Sequence, residues 1–141
     1  MEYLEQQIKR IKYPHMVREE IELWKRFLAK RGKTFDRYDY DVHVGKGVGK
    51  LPWLTEPYSR MAISLSQKRI DVVAHKNNVV YIIELKNVAD LQAIGQLEGY
   101  KTLYQDKYIN SVIGGCIIVC SEADQDVERA ASKRNIVIML V

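Results

Sequence analysis

An α/β fold with a mixed central sheet flanked by helices is the architecture this sequence predicts. Three features carry that expectation. Apolar residues recur at helical spacing along residues 14–31 and 91–104. Two short apolar runs, 70–75 and 79–86, flank an Asn-Asn pair, as the strands of a hairpin do. Finally, the strongly apolar stretch 112–120 is followed by a helical segment and a last apolar run, an order that calls for a parallel crossover.

The elements follow in order. Residues 2–12 place Leu4, Ile8 and Ile11 on one side of a helix, an N-terminal extension over 1–13. Pro14 suits the first turn of a second helix, which runs to about residue 31 and is closed by Gly32. Its apolar stripe is Val17, Ile21, Trp24 and Leu28, widened by Leu23 and Phe27. Residues 34–44 alternate, with Tyr38, Tyr40, Val42 and Val44 on one side of a first strand. Residues 45–60 hold Gly45, Gly47, Gly49, Pro52, Pro57 and Trp53, and read as a long loop suited to substrate contact. Strands at 70–75 and 79–86 follow, since asparagine tolerates the positive φ of a two-residue hairpin turn. Helices at 91–104 and 122–133 and strands at 112–120 and 136–141 complete the order α-α-β-β-β-α-β-α-β. Nothing divides the chain, so residues 1–141 are expected to form one domain.

Composition narrows the function. The net charge of +4 is a modest surplus that fits a nucleic-acid partner. Cys116 and Cys120 fall on one strand roughly 13 Å apart, too far for a disulfide, and are expected as buried free thiols. Two cysteines cannot furnish an iron–sulfur cluster or a four-ligand structural zinc site. No secretory apolar core opens the chain, and no run approaches the roughly 20 apolar residues that cross a bilayer. A soluble, intracellular (cytoplasmic) protein with no membrane partner is the expectation. Gly45-Lys46-Gly47-Val48-Gly49-Lys50 lacks the GxxxxGK[ST] pattern and a following helix, which argues against an NTP site.

The hairpin concentrates the chemistry. With Asn77 and Asn78 as its loop, Lys76 pairs with Val79, His75 with Val80, Val73 with Ile82, and Asp71 with Glu84. Lys86, two residues on, shares the face of Glu84. Adjacent carboxylates repel and are costly to desolvate unless a cation joins them. A hard divalent ion such as Mg²⁺, with Mn²⁺ as a substitute, takes such oxygen ligands and activates water toward a phosphodiester. The competing reading is a charge cluster in which Glu84 and Lys86 form a salt bridge.

Asp71 followed by Ile83-Glu84-Leu85-Lys86 resembles the signature of the PD-(D/E)xK nuclease superfamily, although Arg69-Ile70 stands where the signature's name expects proline. Gln96-Leu97-Glu98-Gly99-Tyr100 is similar to the Q-x-x-x-Y motif of the RecB-like branch. The resemblance spans roughly residues 15–141. It implies a restriction-endonuclease-like core and a Mg²⁺-dependent deoxyribonuclease. Asp71 and Glu84 would bind metal with the Leu85 carbonyl, Lys86 would assist the attacking water, and Gln96 and Tyr100 would position DNA or the lysine. The family often draws a glutamate from its first core helix. Of Glu19, Glu20 and Glu22, only Glu20 sits within the apolar stripe, and it is expected as a further catalytic and metal-binding residue. No iron–sulfur cysteines and no helicase motif accompany the signature, so a stand-alone nuclease domain or subunit is implied.

Lys46, Lys50, Lys68 and Arg69 are expected to touch the DNA backbone, and Trp53 to stack on unpaired bases. His15, His43 and His75 lie scattered, with packing or edge roles expected rather than ligation. The substrate is expected to be single-stranded, duplex or branched DNA, with a homodimer possible. Two alternatives stand beside this reading: a structure-specific endonuclease of the Holliday junction resolvase type, and a catalytically silent DNA-binding module on the same fold.

Overall fold

The computed structural model describes residues 12–13 and 15–141. The helix expected over 2–12 therefore lies, save for Lys12, outside the described residues, as does Pro14. Helix α1 spans Arg18–Arg31, strand β1 Arg37–Val44, helix α2 Tyr58–Ser66, strand β2 Lys68–Lys76 and strand β3 Val79–Leu85. Helix α3 (Leu91–Lys107), strand β4 (Val112–Cys120), helix α4 (Gln125–Lys133) and strand β5 (Ile136–Leu140) complete the chain. The five strands lie in one sheet in sequence order. The β1–β2 and β2–β3 pairs are antiparallel, and β3–β4 and β4–β5 are parallel.

The mixed sheet is thus the one the sequence predicts, with α1 covering one face and α3 with α4 the other. On the α1 side, Trp24 stacks on Phe27 at 4.7 Å and meets Tyr38 edge-on at 5.1 Å. The Trp24 indole N–H donates to the Tyr40 hydroxyl at 3.1 Å. Burying Trp24 and Phe27 completely, at roughly 1.5–3 kcal/mol for a large apolar side chain, fixes α1 across the sheet and so sets where its first turn ends up. On the other side Ile94 and Leu97 of α3 pack with Ile82, Cys116 and Ile118. Cys116 and Cys120 are buried and free, as expected.

The hairpin is the best-specified element. Asn77 and Asn78 have φ of 51° and 65°, the left-handed values of a type I′ turn that matches strand twist. The register is the one counted from the sequence: Lys76 opposite Val79, His75 opposite Val80 and Val73 opposite Ile82.

Four details depart from expectation. Gly32 does not close α1 in a left-handed cap; its φ is −59° and it opens a short 3₁₀ turn to Thr34. Strand β1 accordingly starts at Arg37, not 34. Residues 58–66, given to loop or left unassigned in the sequence, form α2, whose only buried residue is Ser59; a helix with so small a buried face leaves little periodic signal. Finally, Tyr38 and Tyr40 do not share a side with Val42 and Val44. The tyrosines pack on the α1 core and the valines on the α3 core, because Asp41 between them has φ of 50° and turns the strand over.

Strands β3 and β4 slip register between Val80 and Tyr81, which pair with Ile113 and Gly115 and leave Gly114 over. A Cβ at Gly114 would stand 2.5 Å from Val79 Cγ1 and 2.7 Å from the Tyr81 ring. We expect Gly114→Ala to cost about 1–3 kcal/mol through overpacking. Gly95→Ala, in open space on α3, should instead gain about 0.5–1 kcal/mol by cutting unfolded-chain entropy. Urea unfolding of both variants reads the difference, and equal midpoints would refute it.

Candidate active site

Backbone pairing between β2 and β3 runs down to Val72 opposite Ile83. The next step brings Asp71 and Glu84 together. At that end of β3 the Lys86 N–H turns to β4, donating to the Val119 carbonyl at 3.1 Å. The Leu85 N–H is taken by the Asp71 carboxylate at 3.0 Å. A side-chain oxygen thus stands in for a ladder carbonyl, and this holds Asp71 against the strand that carries Glu84. The two carboxyl groups hydrogen-bond to each other.

Both are pushed above the usual carboxylate range, chiefly by burial. Glu84 is 7% exposed. Facing also the charges of Asp71 and Glu20, it rises to about 9. The ammonium of Lys86 opposes the shift at both groups, as does the Leu85 N–H at Asp71. The second oxygen of Glu84, Oε2, is buried with no hydrogen-bond partner among the described residues. An orphaned carboxylate oxygen beside a second carboxylate is a receptor for a cation.

Lys86 is the residue just beyond β3 and reaches Asp90 at 3.7 Å. Asp90 also caps α3, accepting the Ala93 N–H at 2.8 Å. One carboxylate therefore fixes both the start of α3 and the direction of the lysine. From α3, the phenol of Tyr100 is raised to about 12 by burial and then by the charges of Glu84 and Asp71, which it faces. Gln96, one turn earlier, has its amide oxygen buried and unpartnered among the described residues. Glu20 comes from the first turn of α1, accepting the Val17 N–H at 3.2 Å. Burial raises its carboxyl, followed by the charge of Asp71, while Lys86 lowers it.

The structure thus gathers Asp71, Glu84, Lys86, Tyr100 and Glu20 into mutual electrostatic contact, with Gln96 on the same helix as Tyr100 and Leu85 at the strand end. Among the described residues it does not bring the side chains of Lys46, Lys50 or Trp53 into hydrogen bond or ion pair; they lie exposed between β1 and α2, Trp53 at 75%. Lys68 is exposed at the start of β2, and Arg69 turns to Asp41 at 3.6 Å. Sequence reasoning missed two residues: Asp90, recognisable only as an N-cap, and Asp41, which lies between the Tyr40–Val72 and Val42–Ile70 pairs and whose charge acts on Asp71.

Among the described residues no group of three or more His, Cys, Asp or Glu forms a ready metal cage. A Mg²⁺ ion does not need one, since it keeps several waters and binds through one or two carboxylates. Asp71, Glu84 with its orphaned oxygen, and the adjoining Leu85 carbonyl suit such an ion.

A scan of protein-family models and a search of curated proteins return no match. Two solved structures do resemble the chain. The EndoMS–dsDNA2 complex has a TM-score of 0.50 at 13% identity, over 85% of this chain and 43% of that one. A repair endonuclease from Pyrococcus abyssi has a TM-score of 0.51 at 15% identity, over 85% of this chain and 46% of that one. The likeness is one of fold. The restriction-endonuclease-like α/β core is therefore the architecture, and this chain spans less than half the length of either neighbour. No helix among the described residues is long and apolar enough to cross a membrane.

The raised carboxyl of Glu84 has a thermodynamic consequence. In metal-free protein the unfolded chain releases this proton near 4.5, whereas the folded chain holds it to about 9. Folding takes up a proton across that window, so stability falls as pH rises through it. Glu84→Gln, with nothing to ionise, should flatten the fall. Urea titrations in EDTA between pH 5 and 9 measure this, and parallel curves for the two proteins would contradict it.

Proposed function

We propose that this protein is a metal-dependent deoxyribonuclease of the PD-(D/E)xK type, in which Asp71, Glu84 and Lys86 carry the chemistry. The observation that supports it is the adjoining carboxyl groups of half-buried Asp71 and buried Glu84, with an unpartnered Glu84 oxygen and a lysine nearby. A salt bridge of Glu84 with Lys86 is the weaker reading, because the lysine's ion-pair partner is Asp90. Fold kinship with a double-stranded-DNA complex and with a repair endonuclease supports DNA as the substrate.

Asp71, Glu84, the Leu85 carbonyl and Glu20 would hold Mg²⁺ or Mn²⁺. When bound, the cation supplies polarisation of the phosphodiester and a water of lowered pKa. The chain's own groups do the rest. Lys86, aimed by Asp90, orients the attacking water and offsets charge developing on the phosphoryl oxygens. Tyr100, kept as a neutral phenol by its surroundings, donates a hydrogen bond toward the carboxylates or the substrate. The Gln96 amide shares that helix face, an arrangement that supports the RecB-like branch. Lys46, Lys50, Lys68 and Arg69 meet backbone phosphates, and Trp53 offers a stacking surface. No iron–sulfur cluster or NTP enters this scheme.

The test is incubation with labelled single-stranded, duplex and four-way-junction DNA in Mg²⁺, Mn²⁺ or EDTA. Cleavage should require metal. Lys86→Ala should slow it by roughly 10²–10⁴-fold, Glu84→Ala should abolish it, and Tyr100→Phe should cost about 10–100-fold. DNA binding without cleavage in any metal, unchanged in the variants, would overturn the reading in favour of a silent binding module.

A further inference from the structure

One element of the fold has no part in either core. Helix α2 buries Ser59 and partly covers Ala62, Ile63 and Ser66, and none of its residues packs into the clusters on the two faces of the sheet. A second face of the helix carries Tyr58, Met61 and Leu65, at i, i+3 and i+7, which are 62%, 55% and 69% exposed. Trp53, just before the helix, is exposed as well. Large apolar side chains exposed singly are ordinary; four within residues 53–65 mark a surface made to be covered.

The segment before α2 is built to hold still. Ser66 Oγ accepts the Val48 N–H at 2.8 Å and donates to the Ala62 carbonyl at 2.7 Å. The Gln67 amide donates to the Gly45 carbonyl at 2.8 Å. Gly47, at φ of 60°, lies so close that a Cβ would stand 2.4 Å from Ser66 Oγ and 2.8 Å from the Ile63 carbonyl oxygen. The glycine loop is thus stapled to the end of α2, and loop and helix form one body.

Charge indicates what covers it. Residues 45–68 carry Lys46, Lys50, Arg60 and Lys68 against one carboxylate, Glu56, and so hold three of the chain's four surplus positive charges. A second copy docking about a two-fold axis would bring this face to itself, cation toward cation, and interface cores are poor in charge. A polyanion with open apolar faces meets both properties. DNA with unpaired bases is such a polymer, its phosphates suited to the lysines and its ring faces to Trp53 and Tyr58. In a duplex those faces are stacked away and only base edges show in the grooves. Lys68 opens β2 three residues, roughly 10 Å along the strand, before Asp71.

We propose that loop 45–57 and α2 form a platform for single-stranded DNA. Bases stack on Trp53 and Tyr58 and rest on Met61 and Leu65, while Lys46, Lys50 and Lys68 hold phosphates. The substrate of the acid pair is then DNA with an unpaired segment beside the bond that is cut. That last step rests on the nuclease reading; the platform itself does not.

Binding is measured in EDTA, where no metal-dependent cutting occurs. Trp24 is completely buried and Trp53 exposed, so a ligand that quenches tryptophan emission reports on Trp53. A 12-mer single strand, and the same sequence as a blunt duplex, are titrated into wild type and variants checked by melting temperature. The variants are Trp53→Ala, Tyr58→Ala, the double Met61→Ser with Leu65→Ser, and the double Lys46→Gln with Lys50→Gln. The single strand should quench emission of wild type and not of Trp53→Ala. Trp53→Ala or Tyr58→Ala should weaken single-strand binding about 5–150-fold, as loss of one stacked base does, and duplex binding far less. The lysine pair should lower the single-strand salt slope by roughly 1.4, the value for two phosphate contacts. Unchanged single-strand affinity in the folded variants, or equal losses for strand and duplex, would overturn the platform. A dimer in sedimentation that the Met61 and Leu65 double variant dissociates, with DNA binding intact, would give the face to a second copy. Binding to anionic phosphatidylserine vesicles lost in that variant, again with DNA binding intact, would give it to a lipid surface. A protein that cuts DNA with metal yet binds the strand equally in all variants loses the platform alone. One that binds the strand through Trp53 and Tyr58 and cuts in no metal loses the nuclease reading alone.

Discussion

Two carboxyl groups held side by side in a buried position are the constraint on which this structure turns. Left to itself such a pair separates into water; here apolar strands on both sides prevent it. Ile70, Val72, Ile83 and Leu85 are essentially inaccessible to solvent, so the chain around Asp71 and Glu84 cannot yield without exposing core. The pair adapts by sharing a proton, with Glu84 raised to about 9. On the proposed nuclease reading, burial that would be a liability in a structural protein would become stored affinity for a cation that replaces the proton.

The neighbouring elements can be understood as answers to that constraint. The Asn77-Asn78 turn sets a register in which the acids meet, because a one-residue slip would send one of them to the opposite face. Asp71 satisfies the Leu85 N–H where ladder pairing ends, so no backbone donor is orphaned by the acid's position. Helix α3 faces the acid pair with Tyr100, and its N-cap, Asp90, directs Lys86. Helix α1, pinned by Trp24 and Phe27, presents Glu20 from the other face.

Much of this was legible in the sequence, and the boundary of what was legible is physical. The hairpin register follows from period-two alternation and a two-residue turn, both local, so the meeting of Asp71 with Glu84 could be counted out. The long α3 pattern placed Gln96 and Tyr100 together for the same reason. Helix α2 was not legible because it buries only Ser59, and a helix that packs on little has no stripe to betray it. Asp41 was hidden for another reason. Its φ of 50° reverses which face Val42 and Val44 occupy, and alternation alone assumes that no residue does this. The convergence of His15, His43 and Arg69 depends on that reversal and on three segments distant in sequence. No local pattern carries it.

The two clusters differ in sign, and the difference argues about purpose. A module that only gripped DNA would gather donors near the phosphates and keep carboxylates away from them, since each acid repels the backbone it must approach. Near Asp41 the chain does place His15, His43 and Arg69. Yet across the ladder from Asp41 it buries a pair of acids whose ionisation costs stability and whose free oxygen faces no donor. On the proposed nuclease reading, a cation between that pair and a substrate phosphate would turn both repulsions into attractions at once. Such a cation would hold the scissile phosphate against Lys86 and the acid pair, and near-attack geometry needs that positioning.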